Sequence, residues 1–187
     1  MLEFIIIALG AAAVVAIALV YNGLVAKRQM ASNGWSDIDV QLKRRADLIP
    51  QLVTTVQAYA AHERQLFEDV AAKRTAALAA GDNQAERGAA ESALSKPVGR
   101  LIALGEAYPD LKANQNFLDL QNELSDTEDK IEMARRFFNG AVRELNTAVE
   151  TFPANLVAAL FGIRTRQYFE IDPADAAAPT LNIGPPA

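Results

Sequence analysis

Apolar side chains recur along this chain in two rhythms. Residues 4–26 carry no charge, and the run from Phe4-Ile5-Ile6-Ile7 through Val14-Val15-Ala16-Ile17-Ala18-Leu19-Val20 is almost wholly apolar. A helix rises ~1.5 Å per residue, so about 20 residues cross the ~30 Å hydrocarbon layer of a bilayer. Tyr21 and Asn22 follow at the level where amphipathic rings meet headgroups, and Lys27 and Arg28 end the span. A cleaved signal peptide is the rival reading. It wants a basic leader, a short apolar region and a small-residue cleavage site, whereas only Glu3 precedes this run and Leu24-Val25-Ala26 is a poor cleavage site. Residues 1–26 are therefore read as a retained transmembrane anchor.

From Trp35 onward the rhythm changes to a helical one. Trp35, Ile38, Leu42, Ile49, Leu52, Val56, Tyr59, Leu66, Val70 and Ala77 recur at steps of three, four and seven, with no strand-like alternation. This predicts one long helix over 35–80, about 70 Å in length. Gly81 closes it as a C′ residue, and Pro50 kinks it or marks a junction. Asp82 is placed to cap a second helix over 83–107, weakened by Gly88, Pro97, Gly99 and Gly105 and ended by Tyr108-Pro109-Asp110. A third helix spans 113–151, with Phe117, Leu120, Leu124, Ile131, Phe138, Val142 (or Ala141), Leu145, Val149 and Phe152 on one face. Pro153 suits the first position of a short fourth helix over 154–161, closed by Gly162. Residues 27–171 then form an elongated antiparallel helical bundle, three long helices plus a short C-terminal one. Residues 172–187, rich in Ala and Pro, read as a disordered tail. The fold class is all-α, and no internal repeat is evident.

Composition narrows the chemistry. The net charge of −5 argues against nucleic acid as a partner, which needs a cationic surface. With no cysteine, disulfides, thiolate metal sites and thiol catalysis are excluded. His62 is the one histidine, so a site needing two imidazoles from one chain is excluded as well. There is no phosphate-cradling Gly-rich loop and no nucleophile elbow. No cofactor is implied, and no enzyme activity is expected.

Charges fall inside the apolar seams. Extending the first heptad places Glu63 between Tyr59 and Leu66. The third helix places Glu128 and Arg135 between Leu124 and Phe138, with Asn139 and Asn146 at the edge. A buried carboxylate is costly unless paired, so Arg135 is expected to pair with Glu128 or with Glu63 across the helices. Glu63, Glu128, Arg135 and Asn139 are thus read as a buried polar network that sets register. The functional alternative is a hydrolase or metal enzyme built round His62, Glu63, Glu128 and Arg135. A ferritin-like carboxylate site, however, requires two Glu-x-x-His pairs, and Tyr59 stands where the Glu before His62 would be. Lys43-Arg44-Arg45 reads as a solvated helix face, with contact to anionic lipid as the alternative.

Two features point to association. Ala8, Ala12 and Ala16 form a small-residue stripe that lets membrane helices approach. Trp35, Ile38 and Leu42 lie where the Gly- and Pro-interrupted second helix is expected to leave the first one uncovered, and exposed apolar stripes are interaction sites. Lys27, Arg28, Lys43, Arg44 and Arg45 follow the span and no Lys or Arg precedes it, so the positive-inside rule puts the N-terminus outside and the bundle in the cytoplasm.

Several blocks resemble the LemA family. They are Tyr21-Asn22-x-Leu24-Val25, Trp35-Ser36-Asp37-Ile38 through Asp47-Leu48-Ile49-Pro50-x-Leu52-Val53, and Tyr59-Ala60-x-His62-Glu63. Further on come Glu106-Ala107-Tyr108-Pro109-Asp110-Leu111-Lys112-Ala113-Asn114, Phe117-x-x-Leu120-Gln121, Glu128-x-x-Ile131-x-x-x-Arg135, Asn139, Asn146, Thr151-Phe152-Pro153 and Tyr168-Phe169. The resemblance covers about residues 21–171. It implies a membrane helix followed by a long antiparallel bundle, with no established enzyme activity. It also implies company: family members occur beside membrane zinc proteases in some bacterial genomes, and one relative takes part in forming magnetosome membranes. The expectation is a scaffold or adaptor at the bacterial plasma membrane. Its partners would be the lipid bilayer, further copies of itself and other membrane proteins such as a zinc protease. Membrane remodelling by self-assembly is the alternative.

Overall fold

The computed structural model describes residues 1–170, and the expected tail lies outside the described residues. The fold is all-α. Among the described residues there are six helices and no strand: α1 (Leu2–Gln57), α2 (Arg64–Ala79), α3 (Gln84–Ala107), α4 (Pro109–Lys112), α5 (Gln115–Glu150) and α6 (Ala154–Leu160).

The helix ends follow local chemistry. Gly81 at φ +63° and Gly162 at φ +66° take the left-handed conformation that closes α2 and α6. At α6 the Ile163 amide donates to the Ala158 carbonyl (2.9 Å) and the Gly162 amide to Ala159 (3.4 Å), the paired bonds of a Schellman cap. Two caps sit one residue from their predicted places. Asn83, not Asp82, caps α3: its side-chain oxygen accepts from the amides of Ala85 and Glu86, and its amide donates to the Glu86 carboxylate. Pro153 is the N-cap of α6 and not its first helical residue.

Two expectations about helix continuity are corrected. The 35–80 helix does not exist as one piece, and it does not end at Pro50. Helix α1 runs without a break from Leu2 through the end of the apolar span and through Pro50 to Gln57. The chain then turns over 58–63, where Ala60 is fully buried, and α2 returns along the end of α1. Arg74 and Ala46, equally far in sequence from Ala60, meet: the Arg74 Nε donates to the Ala46 carbonyl at 2.5 Å. That carbonyl is the acceptor an amide at position 50 would use, and proline has no amide hydrogen. The turn itself contains neither Gly nor Pro, so packing imposes it. The second correction is α3, which is uninterrupted through Gly88, Pro97, Gly99 and Gly105. Gly88 and Gly105 are contact positions. A Cβ on Gly88 would stand 2.3 Å from the Glu170 carbonyl oxygen, and one on Gly105 would stand 2.4 Å from the Phe117 ring.

The chain divides into two compact units. The first comprises Met1–Leu42 with Asp129–Tyr168. Here α5 runs antiparallel to α1, with Trp35 against Phe138 (ring centroids 5.6 Å), Lys27 paired to Glu144 (3.0 Å) and Tyr21 against Phe161 (4.5 Å). The helices approach closely at Gly34, where a Cβ would lie 3.1 Å from the Phe138 Cα. Asn146 ties the segment after α6 to α5, its amide donating to the Arg166 carbonyl and its oxygen accepting from the Arg166 amide, both at 2.9 Å. Of the predicted α5 face, Ile131, Phe138, Ala141, Val142 and Leu145 are buried, whereas Phe152 is exposed.

The second unit comprises Lys43–Glu128 with the segment from Phe169. Its core draws Leu48, Ile49, Leu52 and Val56 from α1, Phe67, Val70 and Ala77 from α2, Leu94, Val98 and Leu101 from α3, Leu111 from α4, and Phe117 and Leu124 from α5. Phe169 is fully buried in this unit, near Gly88.

Candidate functional site

The most deeply buried charges form a cluster in the second unit. Arg45 on α1 is 2% exposed. Its Nη2 donates to the Glu91 carboxylate (2.5 Å) and to the Glu91 carbonyl (3.1 Å). Its Nη1 donates to the Glu128 carboxylate (2.8 Å) and the Ser95 hydroxyl (3.3 Å). One turn earlier on α3, Arg87 donates through Nε to the other oxygen of Glu91 at 2.9 Å. Glu91 is therefore held between two guanidinium groups, and α1, α3 and α5 meet at one point. Burial by itself lowers the pKa of Arg45, but the carboxylates of Glu128 and Glu91 outweigh it and raise the pKa above its ordinary value. Arg45 is permanently cationic, and of its two carboxylate partners Glu91 is buried whereas the Glu128 side chain is 45% exposed.

The predicted network is only partly the observed one. Glu128 enters it, paired with Arg45 and not with Arg135. Glu63 is not in a seam: the turn at 58–63 takes it out of the heptad and leaves it, partly exposed, immediately before α2. Arg135 is half-buried and makes no ion pair with a described residue, and Asn139 is half-buried. The solvated face expected for 43–45 holds for Lys43 and Arg44, while Arg45 points inward. The signal was present: Ile38, Leu42, Arg45 and Ile49 follow one another at steps of four, three and four, so Arg45 occupies the gap in the apolar stripe. Arg87, Glu91, Leu94, Val98, Leu101 and Gly105 keep the same rhythm on α3.

His62 lies in the turn, its side chain 69% exposed. Its Nε2 is 3.2 Å from the Tyr108 hydroxyl and 3.7 Å from the Glu63 carboxylate. Next to it, the Tyr59 hydroxyl accepts from Asn114. Glu63, Glu68, Asp69 and Arg100 line an open groove of about 980 Å³ between α2 and α3. Among the described residues no three His, Asp or Glu side chains are grouped to hold a metal ion.

The expected association stripe is covered inside the first unit. Ile38 and Leu42 are buried, and the Trp35 ring stacks on Phe138. The cover comes from α5 and not from the second helix. Ala8, Ala12 and Ala16 are exposed, as is every residue up to Leu19. The most apolar 18-residue window of α1 has none of its residues buried, which suits a segment that meets lipid.

A family model described as the LemA family matches residues 34–182. The chain belongs to the LemA family. The matched region begins at Gly34, after the apolar span. The magnetosome protein MamQ of Magnetospirillum gryphiswaldense is 26% identical over 179 residues, covering 82% of this chain and 66% of that protein. Magnetosome protein MamQ 2 of Paramagnetospirillum magneticum is 25% identical with the same coverage. Protein LemA of Metamycoplasma hominis is 26% identical over 157 residues, covering 82% of this chain and 72% of that protein. The chain thus spans about two thirds of the length of its MamQ relatives. A membrane-associated helical protein fits both the LemA membership and the uncovered N-terminal helix.

Proposed function

We propose that this LemA-family protein is a membrane-anchored scaffold or adaptor, with no reaction of its own, that binds protein partners and further copies of itself at the bacterial plasma membrane. The observation that carries the reading is the course of α1. The same helix that exposes every residue from Met1 to Leu19 buries Leu24, Ala31 and Ile38 in the first unit, so anchor and packed body share one element. A protein built this way presents a fixed helical surface at a membrane. Confinement by the anchor raises local concentration and lets weak contacts count. The magnetosome and LemA relatives support the membrane setting. The Lys and Arg residues after the span favour a cytoplasmic body, and a membrane zinc protease is among the candidate partners.

In-cell crosslinking from surface positions such as Lys112 or Glu132, read by mass spectrometry, tests the adaptor role. A reproducible membrane-protein partner, or a crosslinked homo-oligomer, is expected. A protein that crosslinks to nothing above background would overturn the reading. A reporter fused after Ala187 that works only in the cytoplasm is expected to be active, and a periplasm-dependent one silent.

A further inference from the structure

We infer that α6 and its flanks form a second membrane contact, an apolar ledge that lies in the headgroup–acyl boundary of the leaflet beside the end of the α1 span. The inference rests on reading α1 as membrane-spanning. It adds a lipid-binding surface outside that span.

Four large apolar side chains at this end of the first unit are exposed: Phe152 (74%), Leu156 (62%), Leu160 (73%) and, on the side that meets Tyr21, Phe161 (50%). They are not scattered, for α6 and the turns on either side of it hold them together. Between Glu150 and Arg164 the chain carries no charged residue. A stretch of that kind is costly in water and suits an interfacial helix with one buried and one lipid-facing side. Its other side is used internally, with Val157, Ala158 and Ile163 buried.

The occupant follows from where the ledge sits. The antiparallel course of α5 on α1 pairs Phe138 with Trp35 and Glu144 with Lys27, so the end of α5 falls level with the end of the span. Phe161 confirms the level directly by packing on Tyr21 at 4.5 Å. Every residue from Met1 to Leu19 is exposed, Tyr21 is half-buried and Leu24 is buried, so cover by the protein begins where the apolar run stops. The ledge therefore continues the lipid-facing surface of α1 sideways at the depth where aromatic rings prefer to lie. Arg164, exposed and next in the chain after the ledge, and Arg28, exposed on α1 beyond the span, suit anionic headgroups.

The test uses the full chain, which has no cysteine of its own. Leu156→Cys, Leu160→Cys, Ala12→Cys and Met133→Cys variants are labelled with an environment-sensitive fluorophore. They are reconstituted in vesicles of phosphatidylcholine and phosphatidylglycerol, with or without acyl-chain-brominated lipid. Met133 is 61% exposed on the same unit and serves as a reference of equal exposure away from the ledge. Quenching at positions 156 and 160 is expected to be at least about twofold that at 133, as for side chains lying roughly 5–10 Å into the interface. Quenching at 156 and 160 no greater than at 133, with position 12 strongly quenched, overturns the ledge and leaves the anchor standing. A blue shift at 156 and 160 without lipid quenching overturns it in favour of a second copy of the chain. Absence of quenching at position 12 overturns the ledge together with the anchor reading.

Discussion

Arg74 donates its Nε hydrogen to the carbonyl of Ala46, four residues before Pro50. The proline removes the amide that would satisfy this oxygen, and a side chain from α2 replaces it. Helix α1 continues through Pro50, expected to kink it or mark a junction, and the same bond ties α2 to α1.

This relationship predicts a conditional effect. Arg74→Met should cost about 1 kcal/mol, the net value of one hydrogen bond, plus any penalty for an orphaned carbonyl. In a Pro50→Ala background the restored amide takes the acceptor, and the cost of Arg74→Met should largely vanish. Urea unfolding of the four proteins measures the coupling. Equal losses in both backgrounds would show that the bond does not compensate for the proline.

Arg45→Met should destabilise the chain by about 3–5 kcal/mol, because it leaves Glu91 as a buried carboxylate with one partner removed. Arg135→Leu, with no ion pair to lose among the described residues, should cost less than about 1 kcal/mol beyond any lost packing. Thermal melts that rank the two in the opposite order would relocate the polar centre to α5.

The Arg45 contribution has a defined pH dependence. Its folded pKa is raised, so the stabilisation is complete below the unfolded value and is lost only as pH rises through the folded one, in strongly alkaline solution. The stability difference between wild type and Arg45→Met should therefore stay flat from about pH 7 to about pH 10. A difference that shrinks steadily across this window would mean that another titrating group controls the cluster.

Gly105→Ala should cost about 1–3 kcal/mol, since the new methyl meets the buried Phe117 ring and the core has no slack to receive it. Phe117→Leu, destabilising by itself, should tolerate Gly105→Ala better than the wild type does. Additive losses in the double variant would show that the two positions do not share this space.

Ile38→Asp should unfold the first unit and not merely dissolve oligomers, because Ile38 is fully buried beside the layer of Trp35 and Phe138. Circular dichroism and native mass in mild detergent separate the two outcomes. A monomeric but fully helical and stable Ile38→Asp protein would restore the association role expected for this stripe.

Much of the architecture is legible along the chain because it rests on local chemistry. The uncharged run at 4–26 specifies a long apolar helix. Asn83, Gly81 and Gly162 mark helix ends within a residue, since side-chain capping and positive φ need no distant partner. The helical period exposes the seams of α3 and α5, and even Arg45, Arg87 and Glu91 keep that rhythm. Tertiary structure alone decided the rest. The turn at 58–63 contains no breaker, Pro50 is bridged by Arg74, Gly88 and Gly105 are sites of contact and not of weakness, and Ile38 and Leu42 lose their exposure within the first unit, where α5 packs on α1. Intrinsic propensities amount to only tenths of a kcal/mol up to about 1 kcal/mol per residue for all but proline. Burial of a side chain such as Phe117 or a paired charge such as Arg45 involves several times more. Where the two conflict the distant partner wins, and no single stretch of sequence names that partner.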